Sequence, residues 1–269
     1  MREPLGRYGV DDLTVLDDAG AVARHAAAWL VEKLSSATGR VRAVCLSGGT
    51  TPRMLYDALA QPPYREAMPW ERIHWFWCDE RFVPATDERS NYGMVQKLLF
   101  ERVPVPREQI HPIPTGSGTA GAAAAAYEEE LIRFYGAATL EASRPLFDLT
   151  LLGVGEDGHT ASLFPGSPLL KERARWAASV AAAGGVSRIT LTYPALESSR
   201  EVAFLVTGAA KREIMMSKQK YNPDDVAAGR AFASSYVEYT HYVERLYDAG
   251  ETLAPGRVEK EAPGLSHSH

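Results

Sequence analysis

His159 is the residue best suited to proton transfer, and it lies in the segment GVGEDGHTAS that follows the apolar run FDLTLL. Imidazole titrates nearest to neutral pH, so a histidine beside an acidic residue at a strand end can move a proton. Gly153, Gly155 and Gly158 permit a backbone excursion that an ordinary loop between a strand and a helix does not need. A single histidine is more often a bystander, but this spacing favours a general base.

Three charged residues, Asp79, Glu80 and Arg81, follow the apolar run IHWFWC. Charges at the end of a buried strand are costly unless they face a polar cleft or pair with one another. The segment therefore predicts either part of a binding site or a structural Asp–Arg pair.

The segment SGGTTPR, residues 47–53, follows the run VRAVCL and opens a predicted helix. The adjacent glycines Gly48 and Gly49 let backbone amides approach a ligand closely, and the helix start adds partial positive charge. Neither the dinucleotide-binding nor the phosphate-loop glycine spacing is present, so neither NAD nor ATP is implied. A tight turn without a ligand is the alternative interpretation.

Lys211 lies in the segment TGAAKR, which follows the run REVAFLV. A basic residue near the N-terminus of a helix opposes the helix dipole unless an anion lies between them. Lys211 is thus a candidate phosphate ligand, and a solvated surface lysine is the alternative.

Apolar runs rich in β-formers alternate with helical patterns, which indicates βαβ units. We predict an α/β fold of one domain, a Rossmann-like, doubly wound, mostly parallel sheet with helices on both faces. In such a sheet ligands bind beyond the carboxyl ends of the strands, where all four segments above are expected. The predicted strands are Asp12–Leu16, Val41–Leu46, Ile73–Cys78, Phe147–Gly153, Trp176–Val180, Arg188–Thr192 and Glu201–Thr207, and the predicted helices are Asp18–Ser36, Met54–Leu59, Tyr92–Phe100 and Thr119–Leu140.

The bulk composition excludes several classes of protein. The 269 residues carry a net charge of -5 and no dense Lys/Arg run, which argues against a nucleic-acid partner. Cys45 and Cys78 each lie in an apolar run, so we expect buried free thiols rather than a disulfide or a zinc site. The N-terminus lacks the apolar core of a signal peptide, and no apolar stretch is long enough to span a membrane, so we expect a cytoplasmic protein with no membrane contact.

The four segments together resemble the 6-phosphogluconolactonase family. Five blocks match in order and at similar spacing: SGGTTPRMLYDAL, WFWCDERFVPATDERSNYGMV, FDLTLLGVGEDGHTASLFPGSPLL, RITLTYPAL and VTGAAKREIM. The resemblance implies hydrolysis of a small sugar-phosphate lactone, in the second step of the oxidative pentose phosphate pathway. No metal or other cofactor is expected, because a lactone is already an activated ester, and we expect a monomer or weak homo-oligomer.

The resemblance also implies roles for individual residues. His159 would be the general base, and Asp79 would either orient it or hold sugar hydroxyls. Arg81 and Lys211, helped by Arg188, would bind the phosphate. The other residues expected at the substrate are Gly48, Gly49, Thr50, Thr51, Asp157 and Gly158.

Two other functions are compatible with parts of this pattern. Glucosamine-6-phosphate deaminases share this order of motifs, but their loop resembles DGHIAFNEP, with a glutamate where this chain has Phe164, and they resemble DEY where this chain has Arg81. A sugar-phosphate sensor without activity is the other alternative. The histidine and the absence of a preceding helix-turn-helix pattern argue against the sensor.

The chain departs from the family pattern after Ser217. Residues 1–217 are predicted to form the α/β domain, and residues 218–250 an amphipathic helical segment packed on it or used as an oligomer contact. His241 in this segment is expected to be an interfacial histidine. Residues 251–269 are predicted to be a disordered tail, whose SHSH end could bind a metal only weakly.

Overall fold

The computed structural model describes residues 14, 16–35, 41–116, 118–181 and 185–208. Four predictions fall on other residues: most of the strand Asp12–Leu16, the ligand Lys211, the C-terminal helical segment with His241, and the tail. The predicted boundaries at residues 217 and 250 likewise lie outside the described residues.

Seven strands form two sheets within the described residues. They are β1 (Arg42–Leu46), β2 (Ile73–Trp77), β3 (Asp79–Arg81), β4 (Phe147–Leu152), β5 (Ala177–Ala181), β6 (Ser187–Leu191) and β7 (Ser199–Phe204). The main sheet has the order β2-β1-β4-β7, and all its neighbours are parallel. All six residues of β4 are buried, as expected of a central strand covered on both faces. The predicted α/β class with a mostly parallel sheet is confirmed.

A smaller antiparallel sheet, in the order β3-β6-β5, continues from the main one. Cys78 joins the two sheets, because its N–H donates to the Leu46 carbonyl at 2.8 Å and its carbonyl accepts from the Leu191 N–H at 2.7 Å. We had expected Asp79–Arg81 to follow a strand rather than to form one. These residues pair instead with β6, so two arginines and a buried Asp lie within a sheet.

Six α-helices surround the sheets in the described residues: α1 (Ala19–Ser35), α2 (Thr50–Leu59), α3 (Tyr64–Ala67), α4 (Asn91–Val95), α5 (Ala120–Tyr135) and α6 (Tyr193–Glu197). Helix α4 continues as a π-helical turn over Gln96–Phe100. Helix α5 begins after Thr119, whose hydroxyl accepts the Ala122 N–H, and ends before Gly136 in the left-handed conformation. The helix is therefore shorter than the predicted Thr119–Leu140. Helix α1 packs against α2, and α5 packs against β5 and β6.

The core lies between the sheets and these helices and is rich in aromatic side chains. Its largest fully buried members include Trp75, Phe76, Trp77, Tyr127 and Phe147. Cys45 and Cys78 are buried free thiols, as predicted. In the part of the chain that the structure describes, no helix combines the length and the hydrophobicity needed to cross a membrane.

Candidate active site

Three of the four predicted segments lie together in the structure. They are positioned by the carboxyl ends of β1, β4 and β7 and by the step from β2 into β3. Because the main-sheet strands are parallel, their carboxyl ends meet at one edge. Direct contacts join the segments. Ser162 of the His159 loop contacts Asp79, and Asn91 contacts both Asp79 and Gly48. The Thr51 and Thr207 hydroxyls lie 2.6 Å apart. Of the fourth segment, the structure describes only Thr207 and Gly208.

His159 lies in a tight loop after β4. The Gly155 N–H donates to the His159 carbonyl at 2.7 Å, and Gly158 has a φ of 85° that favours glycine. The His159 side chain is 25% exposed, so it can reach solvent and substrate. Its ring packs against Phe164, with ring centroids 4.6 Å apart.

Asp157 fixes the His159 ring. His159 Nδ1 lies 2.5 Å from Asp157 Oδ1, and the His159 backbone N–H contacts the same oxygen at 3.2 Å. Partial burial raises the pKa of Asp157, but the hydrogen bonds from His159 outweigh it, so the pKa lies below its ordinary value of 3.8. An ionised carboxylate can only accept, so His159 Nδ1 carries the proton and Nε2 is left as a base. Asp157 was expected only as a substrate ligand, and this geometry gives it an orienting role.

Asp79, by contrast, makes other contacts. Its Oδ2 accepts from the Ser162 hydroxyl at 2.6 Å, and its Oδ1 accepts from Asn91 Nδ2 at 3.2 Å. Arg188 Nη1 lies 3.9 Å from Oδ2. Asp157, not Asp79, holds His159 Nδ1, so an orienting role of Asp79 would have to act through Ser162.

Glu80 is buried and anchors the start of α4. It accepts the backbone N–H groups of Asn91 and Tyr92 and the Ser90 hydroxyl at 2.7–3.0 Å, in addition to the Arg81 N–H. Burial raises the pKa of Glu80 above its ordinary 4.5, while the three backbone donors lower it. Its contacts give Glu80 a structural role.

Arg81 and Arg188 lie opposite each other in the antiparallel pair of β3 and β6. Two like charges at directly opposed positions are unfavourable without an anion or carboxylates nearby. Burial lowers the pKa of Arg188, and Arg81 lowers it further, while Asp79 raises it. Arg81 Nη1 donates to the Arg89 carbonyl at 2.6 Å, but its buried Nε has no hydrogen-bond partner among the described residues. The pair can therefore accept an anion.

The Gly48–Gly49 turn precedes α2. Gly49 has a φ of 106°, and it and Thr50 are exposed, so their N–H groups are accessible to a ligand. Thr51 is 3% exposed and its hydroxyl is bonded to Thr207. Thr51 was expected at the substrate, and its hydroxyl links the first turn of α2 to the segment after β7.

Asn91 and Ser162 are contact residues that the sequence did not single out. Ser90 accepts the Gly93 N–H at the start of α4, so the helix start itself carried a sequence signal. No comparable signal marked Ser162, because its partner Asp79 is distant along the chain.

Comparisons with known proteins agree with this architecture. A profile of the family described as glucosamine-6-phosphate isomerases/6-phosphogluconolactonase matches residues 17–236. The 6-phosphogluconolactonase of Synechocystis sp. is 44% identical over 215 residues, covering 79% of this chain and 85% of that protein.

Solved structures are similar as well. The 6-phosphogluconolactonase from Trypanosoma cruzi matches with a TM-score of 0.70 at 26% identity, over 84% of this chain and 89% of that one. The 6-phosphogluconolactonase from Thermotoga maritima matches with a TM-score of 0.63 at 30% identity, over 76% and 86%. The chain therefore belongs to the glucosamine-6-phosphate isomerase/6-phosphogluconolactonase family.

Proposed function

We propose that the protein hydrolyses 6-phospho-D-glucono-1,5-lactone to 6-phospho-D-gluconate, the second step of the oxidative pentose phosphate pathway, with His159 as the general base. The observation that carries the catalytic role is the 2.5 Å contact of His159 Nδ1 with the ionised Asp157, which commits Nδ1 to donating and makes Nε2 the ring nitrogen that can act as the base. The 6-phosphogluconolactonases among its relatives support the substrate.

In the proposed reaction, His159 Nε2 takes a proton from a water molecule, whose oxygen attacks the C1 carbonyl of the lactone. The carbonyl π electrons move to oxygen and form a tetrahedral oxyanion. When the carbonyl reforms, the bond from C1 to the ring oxygen breaks, and the histidinium gives its proton to that oxygen. Asp157 stabilises the histidinium meanwhile, and the base is regenerated unchanged.

Backbone N–H groups of the Gly48–Gly49 turn are proposed to stabilise the oxyanion. The turn lies at the N-terminus of α2, where N–H groups lack partners within the helix. A donor of this kind is worth about 3 kcal/mol in the barrier.

Arg81 and Arg188 are proposed to bind the phosphate, together with Lys211 from outside the described residues. The cross-strand pairing of the two arginines supports this role. Guanidinium groups match phosphate oxygens in planar, two-bond contacts. Asp79 and Gly158 are proposed to contribute to the sugar side of the site, with Thr50 at the entrance to the glycine turn.

Phe164 supports a lactonase rather than a deaminase. It occupies the position at which deaminase loops carry a glutamate, and its ring packs against His159. An apolar face on this side of the base suits water activation, because no glutamate at position 164 competes with His159 for the proton.

The first test measures acid release from freshly prepared 6-phosphogluconolactone above its spontaneous hydrolysis. His159→Ala should lower kcat about a hundred- to ten-thousand-fold with a modest change in KM. His25→Ala, which removes an exposed histidine of α1, is the matched control and should retain activity. Near-normal turnover of His159→Ala would refute the assignment.

The second test addresses the phosphate. Arg81→Ala, Arg188→Ala and Lys211→Ala should chiefly raise KM, whereas Arg133→Ala on the exposed face of α5 should not. If the wild type hydrolysed an unphosphorylated lactone equally well, the proposed phosphate binding by these residues would be contradicted. Action in the cytoplasm as a monomer or weak homo-oligomer stays a prediction, which cell fractionation and sedimentation can check.

A further inference from the structure

Asp79 connects two parts of the site that have different roles in the proposed reaction. One is the loop that carries His159, and the other is the Gly48–Gly49 turn. Asp79 is buried, and its carboxylate contacts one side chain from each direction. These two side chains are Ser162 and Asn91.

Ser162 fixes the His159 loop three residues after the base. Its hydroxyl donates to Asp79 Oδ2 at 2.6 Å, and its N–H donates to the Thr190 hydroxyl at 3.1 Å. Asp79 and Thr190 lie directly opposite in β3 and β6, so both bonds hold Ser162 to one sheet position. Ala161, between the base and Ser162, has a φ of 49°, a left-handed conformation that a non-glycine residue keeps only where its surroundings enforce it.

Asn91 connects Asp79 to the Gly48–Gly49 turn. Its Nδ2 donates to the Asp79 carbonyl at 2.9 Å and to Asp79 Oδ1 at 3.2 Å, and its N–H is held by Glu80. The amide fills the space beside Gly48 so closely that a Cβ there would lie 2.0 Å from Asn91 Oδ1. The position of the glycine turn is therefore set by Asn91.

We infer that Ser162 and Asn91 are positioning residues, which act through Asp79 to set the distance between His159 and the amides of the Gly48–Gly49 turn. The inference rests on the proposed function. Neither residue needs to touch the substrate. The base must reach the attacking water while the amides face the oxyanion, and a displacement of about 1 Å can cost a hundredfold in rate.

The kinetic test compares Ser162→Ala, Asn91→Ala and the double variant on 6-phosphogluconolactone. Each single variant should lower kcat about ten- to hundredfold while KM stays within about threefold, because ground-state contacts are kept. The double variant should lose little more than the worse single variant, since both act through one carboxylate. Losses that multiply, or kcat values near that of the wild type in folded variants, would overturn the inference.

Ser199→Ala is the matched control, because Ser199 is also a buried, hydrogen-bonded serine but lies at the start of β7, away from the site. It should lower stability without lowering kcat. If Ser162→Ala does not fold, Ser162→Cys replaces it in the test, because this change preserves the side-chain volume and weakens the hydrogen-bond donor. The same loss of kcat is expected from Ser162→Cys.

A readout independent of turnover separates this inference from the proposed function. In ¹⁵N-histidine NMR, Ser162→Ala and Asn91→Ala should shift and broaden the His159 ring signals, and Ser199→Ala should not. A wild type without lactonase activity would refute the proposed function, and the NMR signals alone would then decide the inference. Unchanged His159 signals in both variants would overturn it.

Discussion

Gly155 allows the His159 ring to occupy its position. A Cβ on Gly155 would lie 2.2 Å from His159 Cε1 and Nδ1 and 2.9 Å from Asp157 Oδ1, which no side chain tolerates. Gly155→Ala should therefore displace the ring and lower kcat about a hundredfold. Steady-state kinetics on the lactone measures this effect.

Gly153→Ala is the control from the same loop. Among the described residues, no atom would lie within 4 Å of a Cβ at Gly153, so kcat should stay within about twofold of the wild type. Equal losses of kcat in the two variants would show that the loop tolerates no side chain at either glycine. The effect of Gly155→Ala could then not be attributed to a specific contact with His159.

At the residue scale, contacts between individual side chains could not be predicted from the sequence. The glycine spacing indicated His159, but not which carboxylate would orient it. Asp157 is two residues away along the chain and Asp79 is distant, and composition does not distinguish them. Hydrogen-bond geometry decides, because Asp79 is already held by Ser162 and Asn91.

At the scale of elements, Tyr127 of α5 completes the edge strand β2. Its hydroxyl donates to the Trp77 carbonyl at 3.0 Å and accepts the Trp77 N–H at 2.8 Å, and the ring is fully buried. Tyr127→Phe should lower the free energy of unfolding by about 1–3 kcal/mol, because buried backbone groups lose their partner. Urea unfolding measures the loss.

Tyr135→Phe provides the comparison, since the Tyr135 hydroxyl also makes two backbone contacts but in a partly solvated place. Its cost should be smaller, because water can replace the lost bonds. A larger loss at Tyr135 than at Tyr127 would contradict this account. The sequence predicts a helix around Tyr127, but not that the Tyr127 hydroxyl meets the backbone of an edge strand.

His74 of β2 gives this element a pH dependence. His74 Nδ1 lies 2.7 Å from His111 Nε2, and His111 Nδ1 lies 2.8 Å from Glu130 of α5. Burial lowers the pKa of His74 below its ordinary 6.5, and His111 lowers it further, while Glu108 raises it. The unfolded chain therefore binds more protons at this site just below pH 6.5, so stability should fall as pH drops through that value.

His74→Gln should flatten this dependence, whereas His25→Gln, at an exposed histidine of α1, should leave it unchanged. Urea unfolding between about pH 7.5 and 5.5 gives the slope, to which one site adds at most about 1.4 kcal/mol per pH unit. A slope equal to that of the wild type in His74→Gln would contradict the role of the histidine pair.

At the scale of the whole molecule, the alternation of elements was sufficient to predict the strands of the main sheet and strands β5 and β6 of the second sheet, but not strand β3. The runs at β1, β2 and β4 are long and apolar, so their burial could be foreseen. Strand β3 has only Asp79, Glu80 and Arg81, which show no apolar alternation, and it forms because β6 supplies its partner. Pairing between segments so distant along the chain has no local signal.

The whole-molecule charge leads to the last prediction. The chain carries a net charge of -5, so we expect the phosphorylated lactone to be attracted only locally, by the proposed phosphate ligands Arg81, Arg188 and Lys211. Salt screens such attraction, with a Debye length of about 10 Å at 0.1 M. Raising NaCl from about 50 to 300 mM should thus lower kcat/KM for this substrate and leave kcat nearly unchanged.

The salt effect should be weaker in Arg81→Ala, and absent with unphosphorylated gluconolactone, because in each case one partner of the attraction is removed. Arg133→Ala should behave as the wild type does. If the uncharged lactone showed the same salt dependence, screening would act on the catalytic groups rather than on phosphate binding. The cross-strand arginine pair would then no longer account for substrate selection.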